Sequence, residues 1–301
     1  MDNAAVKEKL SGVFTPMVTP FKDDQILYEG IAENVKKMNA TGLRGYFVLG
    51  TNGEFKSLSV EERMEVLKTV IQNAAPDKVV MAGTAAESTK ETIDITLEAA
   101  KLGAEMVSLL MPHFFRKYMD DDALTDYVVK VADASPIPVL LYNNPSVAAD
   151  ILISPEVIRR VAEHPNVVGM KDSSRGNYQK YLEAAQGKEF YLLAGSAGFF
   201  LDLLEAGGIG GVLSLANCFP EECSKLYATY LAGKLEEARE QNARLVELNK
   251  KVSGFGGVAA VKAAMELAGY TGGEPRHPLR PLTAEQKQTL VKNVKELGFI
   301  D

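Results

Sequence analysis

The 301-residue sequence contains little cysteine, little histidine and no long apolar segment. Two cysteines, Cys218 and Cys223, cannot form a disulfide framework, and three scattered histidines, His113, His164 and His277, do not have the spacing of metal ligands. No apolar run approaches the roughly 20 residues of a membrane span. The polar start MDNAAVKEKL lacks the apolar core of a signal peptide. These absences predict a soluble, cytoplasmic protein without a metal site.

An excess of positive charge is also absent, because 33 basic residues stand against 40 acidic ones and give a formal net charge of −7. The chain is therefore not expected to have a general affinity for nucleic acids or anionic membranes. Hydrophobic residues make up 46% and charged residues 24%, which is the composition of a globular protein with a large core. The length fits either two average domains or one large α/β barrel.

Eight short apolar runs alternate with helix-like segments along residues 1–217. Most runs are continuously apolar, as expected for parallel strands buried on both faces. One intervening segment begins with a capping box, Ser59 and Glu62, and another ends at Gly103, a typical residue after a helix. The runs are GVFTPMV from Gly12, RGYFVLG from Arg44, KVVMAG from Lys78, EMVSLLM from Glu105, IPVLLY from Ile137, NVVGMK from Asn166, EFYLLAG from Glu189 and IGGVLSL from Ile209.

Eight strand–helix units closed on themselves predict an α/β fold, a (β/α)₈ TIM barrel over residues 1–217. An open doubly wound sheet is the alternative, but it would ordinarily carry a glycine-rich dinucleotide turn after its first strand, where this chain has TPMVTPFKDDQ. After Cys218 the strand signals stop and helical patterns follow, as in LTAEQKQTLVKNVKELG. Residues 218–301 are therefore predicted to form a C-terminal helical region.

Catalytic groups in such barrels lie at the C-terminal ends of the strands, where the sixth run ends in Lys171. Side chains alternate along a strand, so Lys171 and Asp172 point to opposite faces. A lysine in an apolar barrel mouth loses ammonium character through desolvation, and the free amine is what Schiff-base chemistry with a carbonyl needs. The alternative is a lysine whose ammonium extends into solvent at a strand end.

Tyr142 ends the fifth run and is expected to meet Lys171 over the same cavity, because neighbouring strands lie roughly 4.8 Å apart. Its phenol could shuttle protons, or it could be a packing residue. After the second run, two glycines flank Thr51 and Asn52 in GTNGE. Backbone N–H groups with the Thr51 hydroxyl and the Asn52 amide could cradle a small carboxylate, and a simple tight turn is the alternative.

Two glycine clusters near the last strands differ in their predicted positions. AGSAGF, with Gly195 and Ser196, follows the seventh run at the active end, where it could bind substrate oxygens or reflect close backbone packing. GGIGG, from Gly207 to Gly211, precedes the eighth run and is interpreted as a turn at the other end of the barrel. Leu213, near the end of the eighth run, is expected to contact substrate.

Three motifs occur in the order and spacing of a known family: GTNGE from Gly50, LLYNNP around Tyr142 and GMKDSS around Lys171. Over almost its whole length the chain resembles the dihydrodipicolinate synthase/N-acetylneuraminate lyase superfamily of pyruvate-type Schiff-base lyases. The resemblance implies that Lys171 forms an imine with a 2-oxo acid, that Tyr142 relays protons, and that Thr51, counted among the catalytic residues, holds the substrate carboxylate with Asn52. It also implies an aldolase without a cofactor, assembled as a homotetramer, commonly a dimer of dimers.

Within the superfamily the chain most resembles 4-hydroxy-2-oxoglutarate aldolases, which split that acid into pyruvate and glyoxylate. The shared segments are NGEF, AGTAAEST, SPIPVLLY, HPNVVGMKDS, AGSAGF and SLAN, and by this likeness Ser173 contacts the substrate. Dihydrodipicolinate synthases usually have an arginine two residues after the proline of YNxP, where this chain has Val147. The missing guanidinium counts against condensation of pyruvate with aspartate semialdehyde.

The segment after the fourth run departs from the family, which generally has a tyrosine pair there, one member reaching a neighbouring subunit's proton relay. This chain has PHFFR from Pro112, so that His113, Tyr118 or water are the candidates for the relay.

Three hypotheses for the function of the chain follow. The first is cleavage of 4-hydroxy-2-oxoglutarate, the second is the same imine in a dihydrodipicolinate synthase or a sugar-acid aldolase or dehydratase, and the third is a 2-oxo-acid-binding barrel without turnover.

Overall fold

A computed structural model describes residues 3–174 and 176–300, so the predicted domain limits at residues 1 and 301 lie outside the described residues. Eight parallel strands close into a barrel and follow one another in chain order around it, the last pairing with the first. The predicted TIM barrel is confirmed. Its strands are β1 (Gly12–Pro16), β4 (Gly45–Val48), β5 (Val79–Gly83), β6 (Met106–Leu110), β7 (Val139–Asn143), β8 (Val167–Asp172), β9 (Tyr191–Ala194) and β10 (Gly210–Val212), and β2 (Phe21–Lys22) and β3 (Gln25–Ile26) form a separate antiparallel hairpin.

The barrel strands are buried on both faces, as their continuous apolar composition predicts. Every residue in them is buried except Tyr191, which is half-buried. Asn143, Lys171 and Asp172 are polar and yet buried, and all three lie at the C-terminal ends of β7 and β8. Burying such groups is unfavourable unless they are paired or used in chemistry, so these strand ends mark the functional end of the barrel.

Helices cover the outside of the barrel and begin or end where local chemistry requires. Ser59 and Glu62 form the predicted capping box, in which each side chain accepts a hydrogen bond from the other's backbone N–H. Gly103 takes the left-handed conformation (φ 109°) that stops its helix. The helices are α1 (Asn3–Leu10), α2 (Tyr28–Asn39), α3 (Val60–Asn73), α4 (Thr89–Leu102), α5 (Asp121–Ala134), α6 (Pro155–Val161), α7 (Tyr178–Ala184), α8 (Phe200–Glu205), α9 (Pro220–Leu231), α10 (Leu235–Lys251), α11 (Ser253–Leu267) and α12 (Ala284–Glu296).

The C-terminal helices pack against the barrel and against one another. Helix α9 packs against β1, α10 packs against α9, and α11 and α12 pack against α10. Helix α10 also contacts the turn Ala197–Phe199 that follows β9, which brings the junction of α10 and α11 to the barrel mouth. None of the helices in the described ranges combines the length and the apolar character needed to cross a bilayer.

Candidate active site

A cavity of about 570 Å³ opens at the C-terminal ends of the barrel strands. It brings together six of the seven site residues predicted from the sequence: Thr51, Asn52, Tyr142, Lys171, Ser173 and Gly195. The seventh, Leu213, is not exposed at all; its side chain lies in the hydrophobic core, and the next residue, Ser214, lines the cavity instead. The expectation that Leu213 contacts substrate is therefore not supported, because the chain turns at the end of β10 and presents the serine.

Lys171 lies at the bottom of this cavity and is almost completely buried, with 4% of its surface exposed. Its Nζ is 4.1 Å from the centre of the Tyr142 ring and 4.7 Å from that of Phe47. Within residues 3–174 and 176–300, no carboxylate lies within ion-pair distance of this amine. Burial therefore lowers the pKa of the Lys171 ammonium, although a negative charge on Tyr142 opposes the shift. The side chain does not extend into solvent, which excludes the alternative interpretation.

Tyr142 pairs with Lys171 in the register of β7 and β8, as predicted from the strand order. Its hydroxyl is 3.0 Å from Thr51 Oγ1 and accepts a hydrogen bond of 2.9 Å from Asn144 Nδ2. Burial by itself would raise the pKa of the phenol, but the charge of Lys171 and these hydrogen bonds hold the pKa below its ordinary value. The amine and the phenol are thus adjacent groups that can exchange a proton.

The GTNGE loop forms the predicted tight turn, closed by hydrogen bonds from Gly53 N–H to Gly50 O and from Glu54 N–H to Thr51 O. These two N–H groups are consequently not available to a ligand. The backbone N–H groups of Thr51 and Asn52, by contrast, have no acceptor among the described residues. The Asn52 amide donates to Ser214 Oγ at 2.8 Å. Two free N–H groups beside a hydroxyl and an amide are suited to bind a carboxylate.

Gly195 and Ser173 lie side by side on the opposite wall of the cavity. Gly195 N–H donates to Asp172 O at 2.7 Å, and Ser173 N–H donates to Asn143 O at 2.8 Å, so both backbones are fixed to strand ends. A Cβ on Gly195 would collide with the Ser173 hydroxyl, which explains why glycine stands here. Close packing therefore accounts for this glycine, while Ser173 faces the cavity as the family resemblance implies.

Asp172, which points away from Lys171, connects β8 to its neighbours on the outer face. Its Oδ1 accepts hydrogen bonds from Asn143 Nδ2 (2.8 Å) and from Ser174 N–H (3.0 Å). Asn143 Nδ2 also contacts the Tyr181 hydroxyl at 3.0 Å. Burial raises the pKa of the Asp172 carboxyl, and the bonds from Ser174 and Asn143 oppose that rise. This network holds the ends of β7 and β8 together, and with them Tyr142 and Lys171.

The segment after β6 supplies no phenol to this cavity in the described part of the chain. Phe114 and Phe115 are 77% and 62% exposed, and Tyr118 is 73% exposed. The His113 ring contacts Met111 O at 3.0 Å and lies 3.4 Å from Glu87, so it is directed elsewhere. Of the relay candidates inferred from the sequence, neither His113 nor Tyr118 lines the cavity of its own chain.

Several cavity residues were missed by sequence reasoning, and most are neutral and polar. Asn144 and Ser146 directly follow Tyr142 in a motif already singled out, so strand alternation could have identified Asn144 as sharing the face of Tyr142. Two others come from the junction of α10 and α11 and carried no local signal. The missed lining residues include Asn144, Ser146, Asp150, Ser214, Asn249 and Ser253, whereas Ser196 was expected at this end of the barrel.

Comparisons with known proteins show the family to which this chain is similar. The model of the dihydrodipicolinate synthetase family matches residues 9–297. The 4-hydroxy-tetrahydrodipicolinate synthase of Methanopyrus kandleri is 31% identical over 298 residues, covering 97% of this chain and 98% of that protein. A protein of Emericella nidulans named "Probable 4-hydroxy-2-oxoglutarate aldolase, mitochondrial" is 33% identical over 293 residues, covering 95% of this chain and 94% of its own.

Among solved structures, a prophage protein of E. coli K12 from the dihydrodipicolinic acid synthase family, determined in complex with pyruvate, superposes with a TM-score of 0.88. It is 25% identical, and the match covers 95% of this chain and 98% of that one. The superfamily resemblance inferred from the three motifs is thereby confirmed.

Proposed function

The chain belongs to the dihydrodipicolinate synthetase family, and we propose that it is a class I lyase that binds a pyruvate-type 2-oxo acid as an imine on Lys171. One observation carries this proposal: a buried lysine without a carboxylate partner lies beside a phenol at the base of the cavity. Burial lowers the pKa of such a lysine and so raises its free-amine population, and the amine is the nucleophile of Schiff-base chemistry.

The proposed reaction begins when the Lys171 amine attacks C2 of the 2-oxo acid. Tyr142 gives a proton to the departing hydroxyl of the carbinolamine, water leaves, and an iminium forms. Thr51 and Asn52 hold the carboxylate of the substrate with their backbone N–H groups, which lie at the same rim of the cavity. No cofactor takes part in this sequence, since the iminium nitrogen itself serves as the electron acceptor.

In the cleavage direction the Tyr142 phenolate takes the proton of a hydroxyl on C4. The bond between C3 and C4 then breaks, its electron pair enters the iminium, and an aldehyde departs. Protonation of the resulting enamine at C3 and hydrolysis of the imine release pyruvate and restore Lys171. Condensation is the same sequence of steps in reverse, up to the new carbon–carbon bond. One site can therefore serve either direction, and the second substrate decides which one it serves.

The second substrate has two candidates. Relatives named as 4-hydroxy-tetrahydrodipicolinate synthases favour condensation of pyruvate with aspartate semialdehyde, the alternative raised from the sequence. Cleavage of 4-hydroxy-2-oxoglutarate, our first candidate, is favoured by the site itself. Val147 ends the turn Pro145–Val147, whose first two residues line the cavity, and it stands at the position where a synthase of this family usually has its arginine. A charge-assisted bond from a guanidinium is about twice as strong as a neutral one.

Purified protein assayed with both substrates tests the choice. We expect kcat/KM for pyruvate release from 4-hydroxy-2-oxoglutarate to exceed that for condensation by at least about tenfold, roughly 1.4 kcal/mol in transition-state binding. In the matched variant Val147→Arg, the ratio of kcat/KM for cleavage to that for condensation should be smaller, because the guanidinium favours condensation. Faster condensation by the wild type would overturn the cleavage assignment and leave the imine in place. Activity with neither substrate would direct the search to hydroxylated sugar acids, and pyruvate binding without any turnover would favour the non-enzymatic barrel.

A further inference from the structure

The Tyr142 hydroxyl is surrounded by more donors than acceptors. Asn144 Nδ2 can only donate, at 2.9 Å, and Thr51 Oγ1, at 3.0 Å, can donate or accept, while the Lys171 ammonium, 4.1 Å from the centre of the Tyr142 ring, adds a positive charge. A neutral phenol can donate to Thr51 and accept from Asn144. A phenolate accepts from both Asn144 and Thr51, and each of these bonds is stronger because the acceptor is charged. The hydrogen-bonding geometry therefore favours the ionised form.

Asn144 is well placed to keep this arrangement fixed. It follows Tyr142 by two residues, so both side chains lie on the same face of the extending chain. Its Oδ1 accepts a hydrogen bond of 2.7 Å from Ser146 Oγ, which turns the Nδ2 group toward Tyr142. Its carbonyl oxygen accepts from Val147 N–H at 3.2 Å, closing the short helical turn that begins at Pro145. The side-chain amide of Asn144 is thus fixed at Oδ1 by Ser146 and at Nδ2 by Tyr142, and its backbone is fixed by the turn.

We propose that Asn144 is a positioning residue that acts through Tyr142, by giving the phenolic oxygen a permanent neutral donor from its own chain. The proposal rests on the proposed function, because it assigns Asn144 a part in the proton transfers of Tyr142. The segment after β6 offers no such donor from Phe114 or Phe115, which are exposed and have no hydroxyl. The donor, Asn144, directly follows β7, the strand whose end carries the base, Tyr142.

The charged groups around Tyr142 act separately from Asn144, and the charge of Lys171 also lowers the pKa of the phenol. Lys171 faces it from β8, and Leu110 is its partner on β6. In the loop after β4, Glu54 is turned away into an ion pair with Lys262. Asp150, at the exposed rim of the cavity, is the other described titratable residue lining it. Removing the Asn144 donor therefore changes a hydrogen bond to the phenol and leaves the neighbouring charges in place.

The pH dependence of kcat for cleavage gives the test. Tyr142 acts as a base in that direction, so kcat rises with pH as the phenol ionises. In Asn144→Ala this rise should move to higher pH by about one unit, so that kcat is about tenfold below wild type on the acid side and converges with it on the alkaline side. Asn144→Asp, which has almost the same shape, should shift the rise further, because a carboxylate opposes ionisation of the phenol.

Tyr118→Phe is the matched control, since this exposed tyrosine could only act from a second copy of the chain. Its profile should superimpose on that of the wild type. Superimposable profiles for both Asn144 variants, a loss of kcat that is equal at all pH values, or a shift to lower pH would each overturn the proposal. A shift to lower pH would mean that the amide is turned with Oδ1 toward the phenol. A shift in Tyr118→Phe without one in the Asn144 variants would assign the role to Tyr118 instead.

Borohydride trapping with pyruvate separates this proposal from the proposed function. The extent of trapping at Lys171, measured after equilibration, should be the same in Asn144→Ala, Asn144→Asp and the wild type, because the amine is untouched. Trapping that fails in the wild type contradicts the imine itself. Trapping that succeeds in all three proteins while their pH profiles coincide contradicts only the role of Asn144.

Discussion

Lys171 at the barrel mouth and Lys262 beneath the GTNGE loop are both buried, with exposures of 4% and 1%, but their surroundings are opposite. Lys262 forms an ion pair with Glu54 and donates to Thr19 O (2.7 Å) and Glu274 O (2.8 Å). Two of its protons are thus given to backbone carbonyls, and its charge is balanced by the Glu54 carboxylate. Lys171 instead lies against the aromatic rings of Phe47 and Tyr142, and the Tyr142 hydroxyl is the titratable group beside its amine.

The partners of the two lysines, the Glu54 carboxylate and the Tyr142 phenol, differ in basicity. In water the pKa of lysine exceeds that of glutamate by about 6 units but exceeds that of tyrosine by less than about 1 unit. Lys262 therefore faces a much weaker base, whereas Lys171 faces a phenol of nearly matched basicity, so that free amine and neutral phenol are an accessible state of the pair Lys171 and Tyr142. That neutral pair is a nucleophile beside a general acid. Burial alone does not make a lysine reactive; a partner of matched pKa does.

Replacing Lys171 by methionine should have the largest effect of all on activity. Without the amine no imine forms, and we expect kcat to fall by at least about 10⁴-fold, a loss typical of residues that act as one catalytic unit. The same variant should unfold in urea with a free energy no lower than that of the wild type, because the amine it removes has no carboxylate partner. Residual turnover near the wild-type level would contradict the assignment.

Tyr142→Phe tests whether the phenol is what makes Lys171 differ from Lys262, because it keeps the ring and removes the hydroxyl. We expect turnover to fall by about two to four orders of magnitude, the usual contribution of a positioned acid–base group. Thermal unfolding should change little, since the ring still packs edge-on against Phe47, with 6.0 Å between ring centres. Near wild-type kcat in this variant would make Tyr142 a packing residue.

Lys262→Met should act on stability first. It leaves the Glu54 carboxylate buried without its counter-ion, and we expect the free energy of unfolding in urea to fall by about 3–5 kcal/mol. Lys225→Met, at an exposed position on α9, is the control and should change stability by less than about 0.5 kcal/mol. If Lys262→Met lowered the free energy of unfolding no more than Lys225→Met does, the ion pair would not be what distinguishes Lys262 from Lys171.

The smallest effect is expected for the double variant Glu54→Gln/Lys262→Met. A neutral amide can still accept from Arg276 N–H, as Glu54 Oε2 does at 2.9 Å, and it leaves no charge unpaired. Compared with Lys262→Met alone, the double variant should recover at least about 1 kcal/mol in urea unfolding. Additive losses from the two substitutions would show that Glu54 and Lys262 do not act as a pair.

The barrel and the central pair of the site could be predicted from the sequence. Parallel strands buried on both faces leave continuous apolar runs, and each of the eight runs overlaps one barrel strand, with β7 and β8 extending one residue beyond their runs. Because consecutive strands of the barrel are neighbours, Tyr142 and Lys171 at the ends of consecutive runs had to meet. The left-handed glycine and the capping box were similarly local signals, carried by Gly103, Ser59 and Glu62.

The parts that could not be predicted depend on contacts between distant segments. Asn249 and Ser253 reach the cavity only because α10 packs over the turn after β9, and no pattern near them indicates this. The ion pair of Glu54 and Lys262 joins a loop of the barrel to α11 in the same way. Leu213 lies in the hydrophobic core and Ser214 lines the cavity, because the chain passes from β10 into the short helical turn Ser214–Asn217, and no pattern in the sequence marks this change.

Borohydride reduction in the presence of pyruvate, followed by peptide mapping, tests the central claim most directly. The contrast between the two buried lysines predicts irreversible inactivation with one adduct, on Lys171, and none on Lys262 or in the Lys171→Met variant. An adduct on another lysine, or the absence of any adduct, would contradict the proposal that a buried lysine beside a phenol is the reactive group of this protein.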